Sequence, residues 1–125
     1  MATPSRGQTN ASRWFIGVMT GTSLDAIDVA IVELGESITL GHVRPSVAMR
    51  HFYSRPLDHA MVEALMGLQA PSDNELHRAA LIANAYADTV SRTVLEALTV
   101  HGLPPHRITA IGVHGQTIRH QPQLG

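Results

Sequence analysis

The sequence predicts an α/β fold in the order β-β-β-α-α-β, an antiparallel meander joined by one parallel strand. Three features predict it. Two apolar runs flank the polar turn Thr20-Gly21-Thr22-Ser23. A long stretch repeats apolar residues at helical spacing, and a short apolar run follows Pro104-Pro105.

The elements follow in order. Phe15 to Met19 reads as a buried strand, and Ala26 to Leu34, rich in Val and Ile, as its hairpin partner. Asp28 and Glu33 interrupt the second run, so part of one face must meet solvent or a ligand. Gly35-Glu36 reads as the next turn. Ser37 to about Tyr53 reads as a third extended segment, which Pro45 should bend or place at a sheet edge. Asp58 is positioned to cap a short helix carrying Met61, Leu65 and Leu68. After Pro71, Ser72-Asp73-Asn74-Glu75 has the pattern of a capping box, with Ser as N-cap and Glu at N3. Leu76, Ala79, Ala80, Ala83, Ala87, Val90, Val94 and Leu98 then recur at helical spacing. One long helix is therefore expected from about Asp73 to His101, with Gly102 as its C′ residue. Ile108 to Val113 reads as a last strand, which a crossover helix should return parallel to the sheet. One helix layer covers one sheet face only. The other face and the last strand's edge are expected bare, as in a piece of a larger protein.

Composition narrows the function. The chain has 125 residues and a formal charge of −1, which argues against an electrostatic nucleic-acid binder. All nine basic residues are Arg, so no lysine-based phosphate loop exists in it. There is no cysteine for a disulfide or thiolate metal site. No apolar run approaches the about 20 residues of a membrane helix. Residues 1–13 lack the apolar core of a secretory signal and read as a disordered tail, in keeping with a cytoplasmic protein.

Two turns carry the candidate chemistry. At the hairpin tip, Gly21 permits a positive φ or close backbone approach, and Thr22 and Ser23 offer hydroxyls to phosphate oxygens. Asp25 or Asp28 offers a carboxylate to magnesium, which prefers oxygen ligands. The two aspartates are three apart, so in a regular strand they face opposite sides of the sheet. Asp25, beside the turn, is assigned to the ligand, and Asp28 to a backbone or turn hydroxyl. These are also ordinary turn residues, so composition alone leaves a plain hairpin open. The second turn, His114-Gly115-Gln116-Thr117, leaves the carboxyl end of a parallel strand, where open α/β sheets place ligands. Gln116 and Thr117 suit sugar hydroxyls, and His114 suits substrate orientation or acid–base work near neutral pH. His114 and His120 lack a third ligand at zinc spacing.

These segments resemble a known family. FIGVMTGTSLDAIDVAIVEL is similar to the N-terminal phosphate-binding hairpin of the anhydro-N-acetylmuramic acid kinases, and AIGVHGQTIRHQP to their second signature. Glu75-Leu76-His77 at the helix opening also fits, and the likeness runs from Trp14 to Pro122.

The resemblance implies a ribonuclease H-like, actin-like ATPase fold, with 14–125 as an incomplete N-terminal lobe and the second lobe missing. It implies an ATP- and Mg2+-dependent phosphotransferase. That enzyme cleaves the 1,6-anhydro ring of anhydro-N-acetylmuramic acid and phosphorylates O6, in cytoplasmic cell-wall recycling. Gly21, Thr22, Ser23, Leu24, Asp25, Ala26, Ile27 and Asp28 would bind the nucleotide, with Asp25 toward the metal. His114, Gly115, Gln116 and Thr117 would line the sugar side, and the two turns would open on one edge. The general-base Asp falls beyond the matched region, so no catalytic residue is assigned. A homodimer is left open at full length.

Met19 replaces the superfamily's usual Asp, as in this family itself. Thr20 replaces Ser, keeping the hydroxyl. Ala26 replaces Gly and would be strained if the site required positive φ. Two alternatives stand beside this reading: another actin-like-superfamily sugar kinase, or a non-catalytic interaction module built on the half-fold.

Overall fold

The computed structural model describes residues 12–124. Its strands β1 (Arg13–Thr20), β2 (Ala26–Thr39), β3 (His42–Pro56) and β4 (Ile108–Val113) form one four-stranded sheet in the order β3-β2-β1-β4. The meander β1-β2-β3 is antiparallel and β4 lies parallel to β1, as expected. Two helices, α1 (His59–Met66) and α2 (Glu75–Val100), make the connection between β3 and β4. Arg13 already pairs with Leu34, so the sheet starts one residue before the expected boundary. The remainder of the expected tail, 1–11, lies outside the described residues.

The second hairpin corrects the expected turn. Gly35 and Glu36 stay in β2, opposite Ser46 and Pro45. The chain reverses instead at Leu40-Gly41, with φ of 51° and 78° at its two central residues. Two consecutive positive φ values match the twist that a two-residue hairpin turn requires. Leu40 reads as a strand residue in the sequence, and no local glycine–polar pattern other than Gly41 marks the reversal there. Pro45 does sit on an edge strand, where its missing N–H leaves no central ladder bond open. A register shift between Ile31 and Val32 leaves Arg50 as the extra residue of β3. Its Nε donates to Glu33 Oε2 at 2.6 Å. The Ser12 hydroxyl, and after it Arg50, hold the Glu33 carboxyl below its usual range.

The core lies between one sheet face and the helices. Ile16 and Val18 of β1, and Ile27, Val29 and Ile31 of β2, point alternately into it. Met61 and Leu65 of α1, and Val90, Val94, Ala97 and Leu98 of α2, meet them. Asp58 caps α1 as expected, its Oδ1 accepting from the Met61 amide at 2.8 Å.

The opening of α2 departs from the capping-box pattern. Its N-cap is Asn74, at φ 53°, with no side-chain cap bond. Half of the box survives, because Glu75 Oε2 still accepts from the Ser72 amide at 3.3 Å. The Ser72 hydroxyl instead accepts from Arg78, and Glu75 Oε1 accepts from Arg119 at 2.5 Å. Ser72 is thus tied to the first turns of α2, and Glu75 joins that helix to the segment after β4.

The expected core stripe holds only in the second half of α2. Leu76, Ala80, Ala83 and Ala87 are exposed. Ile82 and Tyr86 are the partly buried apolar contacts there, beside Leu65 and Leu68. In the second half even Thr93 is fully buried, its hydroxyl satisfied by the Thr89 carbonyl at 2.8 Å. Gly102 takes φ 64° just past the helix, as a C′ residue should.

The opposite sheet face carries the rows Met19–Asp28–Ser54, Gly17–Ala30–Phe52 and Phe15–Val32–Met49. Met19, Met49 and Phe52 are each more than half exposed, and no described element covers them. The bare face inferred from the element count is therefore present. Ile111 and Val113 face the α2 side but are about half exposed, at the rim of a groove shared with Val90, Val94 and Leu95. Among the described residues no helix is long and apolar enough to cross a membrane.

Candidate functional site

The site follows from the parallel pair at the sheet centre. β1 and β4 run in the same direction, with Val18 opposite Val113, so both chains leave the sheet at one end. The His114 amide donates to the Val18 carbonyl at 2.9 Å, extending the ladder by one residue. The Thr20–Asp25 turn and the His114–Thr117 turn are therefore neighbours, as the family resemblance implies. Gln116 joins them: its Nε2 lies 3.4 Å from the Gly21 carbonyl and 3.2 Å from the Thr117 carbonyl. Two carbonyl acceptors fix the orientation of that amide. Its Oε1 is left buried without a protein partner.

The Gly21 turn is anchored at several points. The Leu24 amide donates to the Gly21 carbonyl at 3.2 Å, and the Leu57 amide to the Asp25 carbonyl at 3.0 Å. Leu24 is buried in the core and adopts φ 56°. The left-handed residue of this turn is thus Leu24, and Gly21 has no positive φ. A left-handed non-glycine residue costs roughly 1–2 kcal/mol; burial of the leucine side chain offsets it here. This position was invisible in the sequence, where the glycine drew the expectation. A Cβ on Gly21 would come 3.4 Å from Ser23 Oγ, an ordinary contact, so the fold itself tolerates alanine there. Ala26 lies in β2 opposite Pro56 without positive φ, so the expected strain at that position is absent.

The turn leaves donors available. Its own hydrogen bonds use the amides of Leu24 and Ala26, and neither uses the amide of Thr22 or Ser23. Thr22 is exposed. The Ser23 hydroxyl donates to Asp25 Oδ1 at 2.8 Å, and the Ala26 amide donates to the same oxygen at 2.9 Å. The Ser23 hydroxyl, followed by the Asp25 and Ala26 amides, holds the exposed Asp25 carboxyl below its ordinary value of 3.8. The carboxylate is thus ionised across the whole physiological range.

The linkage has a definite sign. A depressed folded-state pKa gives stability that is present at neutral pH and lost as pH falls through that value. A carbon-detected titration should place the Asp25 midpoint below 3.8. Ser23→Ala should raise it, since the first cause of the depression is removed.

Asp28 is separate from this cluster. It faces the bare side of the sheet, where its Oδ1 accepts from Ser54 Oγ at 2.6 Å across the β2–β3 ladder. The expected hydroxyl partner exists, but on β3 rather than in the turn. Ile27 is fully buried in the core and Leu24 nearly so, so within the expected nucleotide stretch they support the turn rather than face a ligand.

In the second turn, Gly115 has φ 79°, and a Cβ built on it would meet nothing within 4 Å. Its glycine answers a backbone requirement rather than lack of space. His114 is exposed, with Nδ1 3.3 Å from the Gly115 carbonyl. The Gln69 side chain reaches the Thr117 carbonyl at 3.3 Å. Arg119 donates to the Leu68 carbonyl and to Glu75. These contacts from the α1–α2 loop hold the second turn in place. They were not anticipated, because partners 44 to 51 residues apart leave no local spacing signal.

A sheet of this topology, with a hydroxyl-rich hairpin tip beside the carboxyl end of a parallel neighbour, is part of an actin-like ATPase fold. The family model for anhydro-N-acetylmuramic acid kinase matches residues 13–125, and the chain belongs to that family. It is 39% identical over 110 residues to an anhydro-N-acetylmuramic acid kinase of Nitrosomonas europaea, covering 88% of this chain and 28% of the relative. It is 42% identical over 113 residues to one of Bordetella pertussis, covering 90% and 28%. For one of Ralstonia nicotianae the identity is 40% over 114 residues, covering 91% and 28%. The chain thus spans little more than a quarter of these relatives' length.

Proposed function

We propose that this chain forms one wall of the active-site cleft of an ATP-dependent kinase. Its substrate is anhydro-N-acetylmuramic acid, whose 1,6-anhydro ring is opened as O6 is phosphorylated. The product is N-acetylmuramic acid 6-phosphate, formed in the cytoplasm during cell-wall recycling. The observation that supports this most is the Gln116 amide against the Gly21 carbonyl, because it couples both family signatures at one sheet edge.

Phosphoryl transfer depends on positioning and charge neutralisation more than on covalent chemistry from the protein. The Thr22 and Ser23 amides and the Thr22 hydroxyl meet phosphate oxygens. Asp25, exposed and ionised, suits a magnesium ion, directly or through water. Among the described residues no cluster of three His, Cys, Asp or Glu forms a metal cage. This suits an ion that keeps several waters and takes phosphate oxygens as its other ligands. Magnesium supplies charge neutralisation at the transferred phosphoryl group. His114, Gly115, Gln116 and Thr117 face the sugar. The general base lies in the remainder of the enzyme, so the isolated chain binds nucleotide weakly and does not turn over.

The test is a graft. Residues 13–124 replace the matching segment of the Nitrosomonas europaea kinase, and 6-phosphate formation from ATP, magnesium and the anhydro-sugar is followed. The graft should form product, and the 125-residue chain alone should form none. A folded graft without activity would sink the assignment, and turnover by the chain alone would sink its incompleteness.

A further inference from the structure

We infer that Tyr86 is a positioning residue for the Gly21 turn, acting through the Thr20 hydroxyl. The inference rests on the nucleotide-site reading only for its effect on ATP; the effect on the turn stands on geometry alone. Thr20 is the last residue of β1, and its side chain is on the core face at 3% exposure. Its Oγ1 lies 2.6 Å from the Tyr86 hydroxyl, across 66 residues of sequence. Among the described residues this is the only side-chain hydrogen bond that Thr20 makes. A buried hydroxyl deprived of its partner is costly, so the pair fixes the point where the strand stops and the turn begins.

The position of Tyr86 strengthens the argument. The residue sits in the first half of α2, where the neighbouring Ala83 and Ala87 are exposed and it is itself partly buried. Its ring packs against the core edge, and its hydroxyl reaches Thr20. Tyr86 and Gln116 line the same cavity of about 160 Å³, with Leu65, Leu68, Ile82 and Ile118. The turn is thus held on two sides of one small space, by Tyr86 at Thr20 and by Gln116 at Gly21. The hydroxyl at position 20 acquires a specific task, which serine performs equally well and valine does not.

The test uses the whole chain and the variants Tyr86→Phe, Thr20→Val, Thr20→Ser and the Tyr86→Phe/Thr20→Val double. Amide hydrogen exchange is read at Leu24, which bonds across the turn, and at Val29 and Ile31 in the sheet core. Binding of ATP with magnesium is followed by amide shifts. Tyr86→Phe should speed exchange at Leu24 about tenfold and weaken ATP about tenfold, with Val29 and Ile31 unchanged. Thr20→Ser should behave as wild type, and the double variant no worse than Thr20→Val, since both remove one interaction. Wild-type exchange at Leu24 in Tyr86→Phe overturns the inference. So does an equal loss of protection through the sheet, which would make Tyr86 a packing residue. Faster exchange at Leu24 with no ATP-induced shift in any variant supports the positioning role and removes the nucleotide reading instead.

Discussion

Truncating Ile27 to alanine should destabilise the chain by about 2–5 kcal/mol, the usual cost of emptying a fully buried isoleucine site. Ile27 has no exposed surface and is paired with Thr20 on β1 and Arg55 on β3. It lies directly beside the Gly21 turn, so its cavity would open under the candidate site as well as in the core. The magnitude is large against the 5–15 kcal/mol that ordinarily separates folded from unfolded domains. Urea unfolding should show the midpoint falling by about 1 M or more, while Ile27→Val should cost only about 0.5–1.5 kcal/mol. The bare face supplies a control: Met19 is 55% exposed, so Met19→Ala should stay within about 0.5 kcal/mol. If Met19→Ala cost as much as Ile27→Ala, the face drawn as bare would be covered in solution.

The second large effect concerns binding. Asp25→Asn should reduce affinity for magnesium-bound ATP by about tenfold or more, with little change in stability. Asparagine keeps a carbonyl oxygen where Asp25 Oδ1 accepts from the Ser23 hydroxyl and the Ala26 amide. The turn should therefore retain its shape while losing its negative charge. Affinity for ATP measured without magnesium should hold or improve, since removing a carboxylate relieves repulsion with the phosphates. Equal affinity with and without magnesium in both proteins would remove Asp25 from the metal site.

Much of this architecture is legible in the sequence where one local cause acts. Asp58 caps α1 because the Met61 amide, in the helix's first turn, has no intrahelical partner and lies within reach of its carboxylate. The hairpin at Thr20–Asp25 and the parallel return of β4 follow from apolar runs and a crossover helix. The failures occur where tertiary contacts override local preference. Gly35 reads as a turn but is held in β2 by its pairing with Ser46, whereas Leu40 reads as strand but turns the chain. Ser72 and Glu75 read as a capping box, but Arg78 takes the Ser72 hydroxyl that would have completed it. At the site, the residue types of both turns are visible in the sequence. Their supports, Tyr86, Gln69 and Arg119, become visible only through the fold.

The bare face and the half-exposed Ile111 and Val113 fit a chain that covers 28% of its relatives' length. Met49 and Phe52 lie in rows of the sheet away from the two turns, so a ligand that prefers apolar surface and one that prefers the turn donors will mark different residues. Titrating the isotope-labelled chain with ATP and magnesium distinguishes them most directly. Saturable amide shifts are expected, centred on Gly21–Asp25 and extending to His114–Thr117, with Met49 and Phe52 on the bare face unmoved. Shifts confined to that face, or none at the two turns at millimolar nucleotide, would contradict the nucleotide-site reading.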